Sequence, residues 1–161
     1  MITFNKIYEE NARKLYKFLL SLSGNEILAE ELVQETFFQA FKTFEKFEGR
    51  CSIYTWLCQI GKNAWLKEVK RNKRYLDVEI SDLHIPDQSS FLEDQIIKKE
   101  EFIRSRKALL NLEEPYRNVF ALHAISDVKL KEIANLYGKS ESWARVTYYR
   151  ARMQIVQEVT K

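Results

Sequence analysis

Apolar residues recur along this chain at spacings of three and four, the signature of amphipathic helices, and seldom alternate as a strand requires. Ile7, Leu15, Phe18, Leu19 and Leu22 give a first helix, over about residues 5–22, its apolar face. Ser23, Gly24 and Asn25 end it. A second helix starts near Glu26 and runs to about Phe47, with acids early and lysines late, as the helix dipole prefers. Leu28, Leu32, Phe37, Ala40, Phe41 and Phe44 form its expected buried stripe. Glu31, Gln34, Glu35 and Phe38 point elsewhere. An outward Phe38 beside carboxylates indicates a protein partner; the alternative is a wide core face that absorbs it.

Residues 48–52 read as a short loop, with Ser52 the expected N-cap of a third helix over about residues 53–74. Its stripe is Ile53, Trp56, Leu57, Ile60, Ala64 and Leu66. Lys62, Asn63, Lys67, Lys70 and Arg71 take the other sides, with Tyr54, Trp56 and Trp65 among them. Rings interleaved with cations suit single-stranded nucleic acid, because bases stack on rings while cations neutralise phosphates. The same pattern also fits core tryptophans beside a solvated lysine face, and Trp56 next to Leu57 reads as partly core. Periodicity then fails over about residues 75–90, where acids dominate and Pro86 forbids a continuous helix. An interdomain linker is expected there, with one extended patch at 78–80.

Helix resumes near Phe91, with Phe102, Ile103, Leu109, Leu110 and Leu112 on its face. Pro115 suits the first turn of the next helix, and Glu113 and Glu114 sit at its positive end. Tyr116, Val119, Phe120, Leu122 and Ala124 carry it to about Ile125, and Ser126 with Asp127 closes it. Residues 130–152 read as helix, tight turn and helix. Leu130, Ile133, Ala134 and Tyr137 recur at helical spacing, and Gly138 breaks the pattern where positive φ is needed. Ser140 or Ser142 can cap the last helix, which Ile155, Val156 and Val159 extend. This is the layout of a helix-turn-helix, whose second helix enters a DNA major groove. That helix carries Arg145, Arg150 and Arg152 with Thr147, Tyr148 and Tyr149. A plain αα-corner inside an all-helical protein is the competing reading.

Composition narrows the class. Apolar residues make up 45% of the 161, enough for real cores, while 4 Gly and 2 Pro are too few for a turn-rich β fold. The expectation is an all-α protein with two small helical domains, residues 1–75 and 93–161, joined by a flexible linker at 76–92. The net charge of +3 says less than its distribution. Residues 62–74 carry six basic residues against Glu68, residues 77–101 eight acids against Lys98 and Lys99, and residues 139–152 four basic residues against Glu141. Two basic blocks around an acidic one point to two surfaces for a polyanion. Cys51 and Cys58 match neither a CxxC pair nor a zinc knuckle and are expected as reduced thiols. Neither a signal peptide nor a membrane-spanning run is present, so no membrane insertion and a cytoplasmic location are expected.

The order of these features resembles a group IV, extracytoplasmic-function (ECF) sigma factor of bacterial RNA polymerase, in the sigma-70 family. The pieces that carry the resemblance are AEELVQETF at 29–37, FEGRCSIYTWLCQIGKN at 47–63 and LKEIANLYG…YRAR within 130–152. The match spans nearly the whole chain, from about Ile7 to Arg152. The resemblance implies that the first domain is like sigma region 2 and the second like region 4. It implies an alternative sigma factor that binds core polymerase and directs initiation at a stress- or signal-responsive regulon. Glu31, Gln34, Glu35 and Phe38 would dock on the coiled coil of the β′ clamp, and the β flap is a further implied contact. Arg50, Cys51, Ser52, Tyr54, Trp56, Lys62 and Asn63 would melt the promoter −10 element and hold an extruded base. Lys67, Lys70, Arg71 and Arg74 would follow phosphates. Lys139, Ser140, Ser142, Trp143, Arg145, Val146, Tyr149, Arg150 and Arg152 would read the −35 duplex. An anti-sigma factor is the other implied partner.

The chain departs from the family pattern in places. Trp143 and Ala144 stand where a small or β-branched residue and then Val are usual, Thr147 where a basic residue is common, and Arg50 where an acid or small polar residue is common. Phosphate grip or base preference is expected to differ there. An ordinary helix-turn-helix regulator, which needs neither polymerase docking nor the aromatic-basic helix, is the rival reading. A helical adaptor would show no salt-sensitive DNA affinity. Glu30, Glu31, Glu35 and His123 fit no HExxH-like spacing, and there is no phosphate loop or nucleophile elbow, so neither catalysis nor a metal or cofactor is expected.

Overall fold

The computed structural model of the chain describes residues 3–71 and 92–161, and over 92–99 its backbone alone. Residues 76–91 of the expected linker, the patch at 78–80 and Arg74 lie outside the described residues.

Local signals set the helix ends. Helix α1, Phe4–Ser23, opens with the Thr3 hydroxyl accepting from the Lys6 N–H and closes on Gly24 at φ 67°, whose N–H donates to the Leu20 carbonyl. Helix α2, Glu26–Thr43, opens with Asn25 Oδ1 accepting the Leu28 N–H at 2.9 Å and runs into a 3-10 turn, Phe44–Lys46. Helix α3, Ile53–Arg71, is capped by Ser52, whose hydroxyl accepts from the Thr55 N–H. Each cap satisfies a backbone group that the helix leaves orphaned.

These three helices pack on one another. All three come close at Gly61, where a Cβ would meet Leu19 Cδ2 and Thr36 Oγ1 at 3.1 Å each. The expected stripe of α2 is too narrow on one side and too wide on the other. Two adjacent columns are buried, including Ala29, Val33 and Thr36, because α1 and α3 cover the helix together. Phe41 falls outside them, 66% exposed with its ring edge-on to Phe4. In α3 the buried positions are Thr55, Leu57, Cys58, Gly61, Lys62, Trp65 and Val69, whereas Ile53, Trp56, Ile60 and Ala64 are half-buried. The helix is rotated from its expected orientation, and Trp65 joins the core.

The second group comprises α4, Leu92–Asn111, and α5, Tyr116–Phe120, which continues through a π-helical turn at Ala121–Ile125. After Asp127 (φ 61°) come α6, Leu130–Tyr137, and α7, Glu141–Val159. Helix α7 contacts α4, α5 and α6, and is the spine of this group. Buried apolar residues of both groups form one continuous cluster, from Ile7 to Ile155. Every regular element among the described residues is helical.

Candidate nucleic-acid interface

The helix-turn-helix forms as its sequence directs. Gly138 adopts φ 65° and caps α6, and Ser140 Oγ accepts the Trp143 N–H at 3.1 Å to open α7. Ala144, Thr147, Ala151 and Ile155 face inward at helical spacing. Small side chains at 134 and 144, both buried, let α6 and α7 approach. The opposite side of α7 is open: Ser142, Arg145, Val146, Tyr149, Arg150 and Arg152 are exposed, as is Lys139 in the turn. Among the described residues Arg145 pairs with an exposed Glu141 carboxylate at 3.4 Å, a contact worth little in water and easily exchanged for a phosphate or base. Trp143 is half-buried with its ring 5.2 Å from Tyr137 and serves the turn as well as its surface. Thr147 and Tyr148 are not part of the open face. Thr147 is 5% exposed, and Tyr148 stacks on Phe120 at 5.8 Å.

The residues expected at the −10 element divide between two sides of α3. Trp56, Asn63, Lys67, Lys70 and Arg71 share one side by helical periodicity. Trp56 is braced by Phe47 at 4.9 Å and Phe44 at 6.2 Å, so its ring is held at the mouth of the 47–52 loop. Asn63, Lys67, Lys70 and Arg71 are exposed, and so are Arg50 and Ser52, with Arg50 paired to Glu48 at 2.9 Å.

Tyr54 and Lys62 lie on the other side, with Cys58 between them, and face the second helical group. The Ser126 hydroxyl donates to Tyr54 Oη at 3.2 Å and lies 3.1 Å from Cys58 Sγ. Lys62 Nζ lies 3.4 Å from Glu114 Oε1, which Arg117 also approaches at 3.5 Å. The Ser52 N–H donates to Glu132 Oε1 at 2.6 Å. Lys62 is therefore not an exposed phosphate contact in this conformation; it is 4% exposed. Burial lowers its affinity for a proton and the Glu114 carboxylate partly restores it. Burial likewise raises the Tyr54 phenol and pushes the Cys58 thiol up to about 11, so the thiol is inert at neutral pH. Cys51 is half-buried, and burial followed by the nearby Glu132 carboxylate pushes it up to about 11 as well. Burial also raises the Glu132 carboxyl, but hydrogen bonds from Ser52 and Thr55 outweigh it and leave the group below its ordinary value.

Glu31, Gln34, Glu35 and Phe38 are exposed on α2, Phe38 at 57% with the Lys42 ammonium 4.8 Å from its ring centre. The structure thus decides Phe38 in favour of the surface. Glu31 and Glu35 form one wall of an open groove of about 610 Å³ whose other wall carries Asn63, Lys67 and Arg71. The acidic α2 face and the basic α3 side meet in that groove. Glu114, Ser126, Glu132 and Gly61 were given no site role by the sequence; their tertiary neighbours mark them. Among the described residues no helix is long and apolar enough to cross a membrane.

Comparison with known proteins follows this geometry. Sigma-70 region 2 matches residues 7–75, and sigma-70 region 4 matches residues 105–155. The ECF RNA polymerase sigma factor SigM of Bacillus subtilis is 27% identical over 158 residues, covering 96% of this chain and 93% of its own. The RNA polymerase sigma factor YlaC of Bacillus subtilis is 26% identical over 160 residues, covering 96% and 91%. Among solved structures, the sigma factor RpoE of Bartonella quintana, in complex with the anti-sigma factor NepR, superposes with a TM-score of 0.58. It is 22% identical and covers 98% of this chain and 96% of its own, a likeness of fold.

Proposed function

The chain belongs to the sigma-70 family, among its extracytoplasmic-function members, and from that premise we propose how its two helical groups divide the promoter between them. It is an alternative sigma factor that binds core RNA polymerase and directs transcription initiation. In our reading residues 1–75 dock on polymerase and open the −10 element, and residues 93–161 read the −35 element as duplex.

The open side of α7 suits a major groove. Arg145, Arg150 and Arg152 offer donors to bases and phosphates, and Val146 and Tyr149 offer apolar contact to thymine methyls. On α3, Trp56 gives a stacking platform, Asn63 an amide for a base edge, and Lys67, Lys70 and Arg71 follow the backbone. Extruding a base costs a few kcal/mol, and a braced ring beside an amide offsets that cost. Phe38, Glu31, Gln34 and Glu35 are the proposed contact with the β′ clamp; the β flap is the proposed contact of the second domain. Initiation needs no chemistry from this chain, since polymerase supplies it, and the work is placed in the cytoplasm. An anti-sigma factor, such as the partner seen with the RpoE structure, is the proposed regulator.

The observation that carries this division is the pairing in one chain of an outward-facing α7 with an α3 side that combines Trp56, Asn63, Lys67 and Arg71. Run-off transcription with purified core polymerase on genomic fragments tests it. Discrete start sites that depend on this chain are expected; no dependence at any fragment would refute it.

A further inference from the structure

The outward side of α7 carries an apolar stripe that continues past the part a DNA groove can use. Val146, Tyr149, Met153 and Val156 are each between 39% and 58% exposed. Their spacing of three, four and three is that of the a and d positions of a coiled coil, which stay on one side of a helix. The buried Ala144, Thr147, Ala151 and Ile155 hold the opposite side, so α7 is packed into its own group and still has a second face to bury. A recognition helix reads base edges with its N-terminal residues. Val146 lies in that part, whereas Val156 stands about 15 Å further along the axis. Met153 and Val156 are therefore apolar surface that the duplex does not explain. The stripe is also narrow, a seam rather than the broad apolar face with which a helix lies on a membrane. Its edges decide the occupant. Arg145, Arg150 and Arg152 are exposed along them. A second copy of the chain would set arginine against arginine across the seam, whereas carboxylates would meet those arginines. The Glu141 carboxylate 3.4 Å from Arg145 shows the contact that an acidic flank would make.

We propose that this seam is the docking site of an acidic amphipathic helix from another protein, with apolar side chains at its own a and d positions and carboxylates beside them. The helix lies along α7, packs on the stripe from Val146 to Val156, and pairs its carboxylates with Arg145, Arg150 and Arg152. Helix and duplex compete for the arginines, but only the helix uses Met153 and Val156. The competition rests on the −35 reading above; the helix site itself does not.

The full-length chain and a labelled synthetic peptide test it by fluorescence anisotropy at low salt. The peptide is about three heptads long, with leucine at a and d and with glutamates at e and g that disfavour its own pairing. Saturable binding is expected, and binding about tenfold weaker or less when lysines replace the glutamates. Met153→Gln with Val156→Gln keeps the arginines and removes the far half of the stripe. This double variant is expected to bind the peptide about tenfold more weakly. Its affinity for duplex DNA of mixed sequence is expected to stay within about twofold, because the phosphate contacts remain. Absence of peptide binding overturns the site. Equal peptide binding by the double variant reduces it to charge attraction and overturns it too. A dimer of the chain in sedimentation, dissolved by the same double variant, would give the seam to a second copy. Adherence to phosphatidylglycerol vesicles without peptide binding would give it to a lipid surface; either result overturns the proposal. Should the double variant unfold, Met153→Gln alone carries the comparison. If wild type drives no transcription with core polymerase, the sigma reading falls, while peptide affinity still decides the seam.

Discussion

Lys62 and Glu114 are 52 residues apart in sequence and 3.4 Å apart in space, and they share their ion pair unequally. The lysine side chain is 5% exposed and the glutamate 45%, so the cation bears most of the desolvation while the carboxylate keeps its water. The pair is consequently a weak source of stability. Lys62→Met fills the same volume without a charge and is expected to leave the unfolding free energy within about 1 kcal/mol or to raise it. Urea denaturation measures that.

Glu132 gives the contact between the two helical groups an acid limit. Its carboxyl lies below the ordinary value of 4.5 when held by Ser52 and Thr55. A carboxyl lowered in the folded state contributes stability above its unfolded value and loses it as pH falls through the folded one. Cooling of the thermal midpoint is therefore expected below about pH 4.5, and Glu132→Gln is expected to be less pH-sensitive there than wild type. Parallel pH profiles would contradict this.

Gly61 sets the crossing of α1, α2 and α3. Helix propensity alone favours alanine over glycine by about 1 kcal/mol. At this position the added methyl meets Leu19 and Thr36 at 3.1 Å, and the Thr36 hydroxyl is fixed by its 2.6 Å bond to the Leu32 carbonyl. The two effects oppose, so Gly61→Ala is expected to be near neutral. Gly61→Leu is expected to destabilise by about 1–3 kcal/mol through overpacking, read as a lowered urea midpoint.

Arg145 and Thr147 are two residues apart on α7 and answer to different tests. Arg145→Ala removes an exposed donor and is expected to weaken −35 duplex binding by about 1–3 kcal/mol with the melting temperature unchanged. Single-strand binding is expected to stay near wild type. Thr147→Arg places a charge where the native side chain is 5% exposed, and is expected to cost about 2 kcal/mol or more of stability before any gain in phosphate contact.

Phe38 and Glu35 are exposed on α2, so Phe38→Ala with Glu35→Arg is expected to leave the fold intact by circular dichroism. Capture of core polymerase is expected to fall about tenfold or more, as for loss of an exposed aromatic anchor at an interface. Undiminished capture would remove the docking role from this face.

The sequence by itself determined the elements and the family. Helix bounds followed from caps and periodicity, both local: Ser52, Gly24, Gly138 and Ser140 act within a few residues of themselves. The exposed face of α7 was legible for the same reason, since a helix with one packed side must turn the other to water. Tertiary structure alone decided which side of α3 is covered. The sequence pattern puts Trp56 on the apolar stripe and Trp65 off it, yet Trp65 is 3% exposed and Trp56 half-buried, because α1, α2 and the second helical group choose the orientation together. The same choice buried Lys62, while the packing of α2 exposed Phe38 and Phe41 and that of α7 buried Thr147. The contacts of Glu114, Ser126 and Glu132 with α3 do not show in sequence because a hydrogen bond to a residue 52 to 80 positions away leaves no local pattern. Periodicity records that a helix has a buried side; only packing records what lies against it.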